Sequence, residues 1–84
     1  MPLYFLHLHN GSGFVPDEEG RDFPDLAAAR AEAVRSIRSV LAEEIRRGCV
    51  DLRGRVEIAG TDGETLASVA FGEAVEVVSE GGEA

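Results

Sequence analysis

Eighty-four residues, 44% of them apolar and 29% charged, make one small domain of ordinary globular composition, and a chain this short buries only roughly 60–65% of its unfolded surface, so a partner subunit would add stability. The net charge of −8 argues against general nucleic-acid binding, which rests on neutralising phosphates with Lys and Arg. The sequence has no apolar run long enough to cross a bilayer and no basic-then-apolar leader pattern, and its single cysteine, Cys49, cannot form an internal disulfide, so the expected compartment is the cytoplasm.

Residues 3–9 read as a strand, with Tyr4, Leu6 and Leu8 on the core face and Leu3, Phe5, His7 and His9 on the other. Residues 10–13, Asn-Gly-Ser-Gly, make a turn, and Phe14 and Val15 begin a second strand that Pro16 stops. Residues 17–22 form an acidic loop around Gly20. Phe23-Pro24-Asp25 then starts a helix: the residue before proline avoids helical geometry, and the Asp25 carboxylate can cap the first turn. From Leu26 to Arg47 the apolar residues Leu26, Ala29, Ala33, Ile37, Val40, Leu41 and Ile45 fall on one stripe, with small alanines where the helix can approach a sheet closely. Glu43 and Arg47 are spaced as an i,i+4 pair. Gly48 ends the helix as the residue just past its cap.

After the helix, Cys49 is expected to be a small buried apolar residue, since the C-terminal end of a helix does not activate a thiol. Residues 55–59 alternate, with Val56 and Ile58 inward, and Asp62-Gly63 marks a hairpin turn. Residues 65–71 form the last strand, in which Leu66 conflicts in parity with Val69 and Phe71; a bulge near Ser68 reconciles them. The expected fold is therefore α+β with β-β-α-β-β order, a two-layer sandwich of a three- to four-stranded antiparallel sheet carrying one long helix on one face. The domain is placed at residues 1–71, with residues 72–84 a flexible acidic tail.

Charge is segregated along the chain. Residues 1–25 sum to −4, residues 26–55 to +3 and residues 56–84 to −7, and all eight basic residues are arginine. The middle segment could meet the acidic ends of a second copy, which makes Arg35, Arg38 and Arg46 the candidate partner-binding residues.

The sequence resembles a family of small bacterial proteins known as the domain of unknown function 6894. The resemblance is carried by Met1, Pro2, Tyr4, Phe5 and His7 near the start, and by Gly11 in the first turn. It continues with Asp17, Glu19 and Gly20, then Phe23-Pro24-Asp25-Leu26 followed by Ala28, Ala29, Glu32 and Ala33, and finally Val56, Asp62-Gly63 and Phe71. It covers about residues 1–71 and implies a fold; the family has no assigned activity, cofactor or catalytic residue, so the resemblance implies no site. The chain is also similar to HicB-type antitoxins, which place Pro-Asp-Leu before an Ala/Glu-rich helix; here Asp25 caps the helix with no intervening loop.

No nucleophile or phosphate-loop pattern is present, so the residues predict neither an enzyme nor a bound cofactor. His7 and His9, two apart on one strand face, are candidate metal ligands together with Asp17 and Glu19 of the acidic loop. The function expected first is a non-enzymatic interaction or regulatory module that forms a homodimer. A small metal- or ligand-binding protein using His7, His9 and the acidic loop, and an antitoxin-like or RNA-binding protein, are the other readings.

Overall fold

Alternating apolar residues and a capped amphipathic stripe produce an α+β fold. In a computed structural model, which describes residues 2–11 and 13–80, the elements are β1 (Leu3–Asn10), β2 (Gly13–Val15), β3 (Arg21–Asp22), α1 (Leu26–Arg46), β4 (Arg55–Ala59) and β5 (Thr65–Ala70), closed by a 3-10 turn at Phe71–Glu73. Met1, Ser12 and the last four residues of the acidic segment 72–84 lie outside the described residues. The strands pair in the order β2-β1-β4-β5, all antiparallel, and β3 also pairs with β1. Among the described residues no helix is long and apolar enough to cross a membrane.

The helix begins where Asp25, in extended geometry, accepts the Ala28 N–H on Oδ1 at 2.9 Å. It ends in a Schellman-type arrangement: Gly48 at φ +88° donates to the Ile45 carbonyl, and the Cys49 N–H reaches the Glu44 carbonyl at 3.0 Å. Ala29, Ala33, Ile37 and Leu41 are buried along the stripe. They meet Tyr4, Val56, Ile58, Val69 and Phe71 from the sheet side, while Leu6 and Leu8 pack around this cluster. Burying each large side chain contributes about 1.5–3 kcal/mol against the entropy of ordering the chain.

Several expectations need correction. Ile45 leaves the stripe and is 61% exposed, because the last helical turn carries it beyond the core cluster. Glu43 bonds Arg46 at 2.7 Å, three residues on, in place of Arg47. Cys49 is exposed, since the positive φ of Gly48 turns the chain outward. The bulge lies at Leu66: Ile58 faces Ala67 while Ala59 faces Thr65, so Leu66 is the extra residue and points away from the core. That shift aligns Ala67, Val69 and Phe71 on the core side. A strand at Arg21–Asp22 was not expected from its charged composition.

Packing continues past the last strand. The Phe71 N–H donates to the Gly54 carbonyl at 2.9 Å, Ala74 is buried, and its carbonyl accepts from Arg38 Nε at 2.7 Å. Gly54 is needed for this closeness: a Cβ there would lie 2.5 Å from the His9 carbonyl oxygen and 2.8 Å from the Phe71 ring.

Candidate functional site

The chain that returns along β1 pairs with it twice, leaving a gap. β2 faces Leu8–Asn10 and β3 faces Leu3 and Tyr4. Asp17 fills that gap. Its Oδ2 accepts the Leu6 N–H at 3.1 Å, and its own N–H donates to His7 Nδ1 at 3.0 Å. Its Oδ1 accepts the N–H groups of Glu19 and Gly20 at 3.2 and 3.1 Å. One carboxylate thus closes a break in the strand pairing and shapes the acidic loop. Partial burial works against the charged form, but the hydrogen bonds from Gly20, Leu6 and Glu19 outweigh it and hold the Asp17 carboxyl below its ordinary range. Gly20, at φ +73°, completes the loop; a Cβ there would meet the Phe5 ring at 2.9 Å.

His7 accepts on Nδ1 from a backbone N–H, so its ring proton sits on Nε2. His9 Nε2 lies 3.0 Å from Glu57 Oε1, and Arg55 donates to the other Glu57 oxygen from Nε and a terminal nitrogen at 3.2 and 3.1 Å. The bonds from His9, then from Arg55, hold the Glu57 carboxyl below its usual range. Phe14 lies between the two imidazoles, 5.9 Å from His7 and 4.5 Å from His9, and Phe5 stacks on His7 at 6.4 Å. The sheet face opposite the core cluster therefore carries a row of two phenyl and two imidazole rings bordered by an ion pair.

The sequence candidates are brought near one another without forming a ligand set. Among the described residues no group of three His, Cys, Asp or Glu side chains could hold a metal ion. Both Asp17 oxygens already accept backbone N–H groups, His9 faces Glu57, and Glu19 is an exposed loop residue beside a cleft lined by Asp17, Arg21 and Ser36.

The candidate arginines do not converge. Arg35 bonds Glu32 at 2.7 Å, Arg46 bonds Glu43, and Arg38 bonds the Ala74 carbonyl. Glu32 also receives Arg21 from β3 at 2.7 Å, and Arg35 first, then Arg21, keep its carboxyl below the ordinary range. Arg21 in turn stands 5.3 Å over the Phe23 ring, and Phe23 packs against Tyr4. The structural parts of Asp17, Glu32 and Glu57 were not read from the sequence. A signal existed only for the first, since Asp followed three residues later by Gly is a local turn pattern.

Among the described residues no buried side-chain nitrogen or oxygen lacks a partner.

One family model, described as "Domain of unknown function (DUF6894)", matches residues 3–72. No curated protein matches the chain, and no solved structure does.

Proposed function

The chain belongs to the DUF6894 family, whose description names no activity, and we propose that it is a non-enzymatic interaction module that self-associates. One observation carries this reading. Among the described residues, seven large apolar side chains are buried (Tyr4, Ile37, Leu41, Val56, Ile58, Val69 and Phe71), and as many stand 45% or more exposed (Phe14, Val15, Ile45, Val50, Leu66, Val77 and Val78). A small domain with that balance has a core of limited size and apolar surface left over, and covering such surface with another chain adds stability. The charge layout favours a second copy as the cover, because a basic middle segment and acidic ends are complementary between copies.

Sedimentation velocity of the full chain over a hundredfold or wider dilution series tests it. The expected result is a weight-average mass that falls from dimer toward monomer on dilution. A monomer at every concentration overturns the proposal.

A further inference from the structure

Apolar exposure is not scattered evenly over this molecule. Four of the seven exposed large apolar side chains, Ile45, Val50, Val77 and Val78, line one groove of about 520 Å³ at the C-terminal end of α1. Its floor is Leu41 of the core cluster, and Val75 joins it to the packed chain. One wall is the last turn of the helix. The other is the segment after Ala74, which Arg38 anchors through the Ala74 carbonyl. Beyond that anchor residues 75–80 make no backbone hydrogen bond to any described residue, and Val77 and Val78 are 70% and 80% exposed. Apolar side chains are thus concentrated on one short segment beside the end of the helix.

Resting on the self-association proposed above, we infer that this groove is the surface through which two copies of the chain meet. The charges bordering it select a second copy as the occupant. Arg47 follows the helix wall, Glu76 lines the opposite wall and Glu80 lies beyond it, and none of the three forms an ion pair among the described residues. A two-fold axis through the groove lays the helix wall of one copy on the 75–78 wall of the other. Apolar side chains then meet apolar side chains, and Arg47 of each copy faces the acidic residues of its mate, as an isologous contact requires. The outer sheet face fits this role less well, because His9, Glu57 and Arg55 break its apolar surface with an ion-pair network.

The test compares the full-length chain with the Val77→Glu/Val78→Glu double variant and with Phe14→Glu on the outer sheet face, by sedimentation over a dilution series. Circular dichroism confirms that each retains its helix. The groove variant is expected to raise the dimer dissociation constant roughly a hundredfold, since carboxylates would be driven into an apolar contact. Phe14→Glu should leave it within about threefold. A charge exchange adds a second arm: Arg47→Glu and Glu76→Arg should each weaken the dimer, and the two together should recover it. An unaltered dimer in the Val77→Glu/Val78→Glu chain overturns the groove while leaving self-association standing. A wild-type chain that is monomeric throughout removes both.

Discussion

The outer side of β1 and the segment after Ala74 meet solvent in opposite ways. On β1, the gap between β2 and β3 is closed from within by Asp17, which answers the Leu6 N–H and pins its own loop through Glu19 and Gly20. After Ala74, whose carbonyl is tied by Arg38, Val75 still packs against the core and Val77 and Val78 are exposed. The first region is polar, crowded and internally satisfied. The second is apolar and open. The difference teaches where this small domain resists addition of another chain and where it leaves room for one.

Five variants would break or sharpen that contrast, from the largest expected effect to the smallest. Phe71→Ala removes the fully buried ring from which the open segment departs, and should cost about 3–5 kcal/mol in urea-induced unfolding. Asp17→Ala leaves three backbone N–H groups without their acceptor and should cost about 2 kcal/mol by the same measurement. The Asp17 effect should also depend on pH. Its carboxyl titrates lower in the folded chain than the ordinary 3.8, so its contribution is full above that value and disappears as pH falls through the folded one. The loss of stability on acidification below about pH 4 should therefore be shallower in Asp17→Asn than in the wild type. Asp25→Ala, which strips the cap from Ala28, should cost about 1 kcal/mol, checked by thermal unfolding. Val77→Glu/Val78→Glu, at positions exposed to solvent, should change the stability of the isolated protomer by less than about 0.5 kcal/mol at concentrations where it is monomeric.

How far the sequence could be read depended on the range of the interactions. The helix was legible because its signals are local: Asp25 at the start, an apolar stripe, Gly48 at the end. Alternation in β1 and β4 likewise marked Tyr4, Leu6, Leu8, Val56 and Ile58 as the inward residues, and Asp62-Gly63 marked the turn between β4 and β5. What escaped was set by contacts distant in the chain. Arg21 and Asp22 have no strand character of their own; they pair with β1 because Phe23 N–H reaches the Pro2 carbonyl and Glu32 holds Arg21. The bulge fell on Leu66, not Ser68, because register is fixed by the partner strand. At the candidate site, the shared face of His7 and His9 was legible from their spacing. Their engagement with the Asp17 backbone and with Glu57 was not, since it needs the loop and β4 to be in place.

Gly54 is a fixed point in the evolutionary freedom of this chain. Gly48 and Gly63 hold positive φ with nothing within 4 Å of an added Cβ, so asparagine, which tolerates that backbone, is open to them. At residue 54 the obstacle is the His9 backbone itself, which no change of side chain can clear. Relatives should keep glycine there while Arg53 and Arg55 on either side drift. A lineage that acquires even alanine must first have drawn β1 away from the connector and given up the seat of the Phe71 ring.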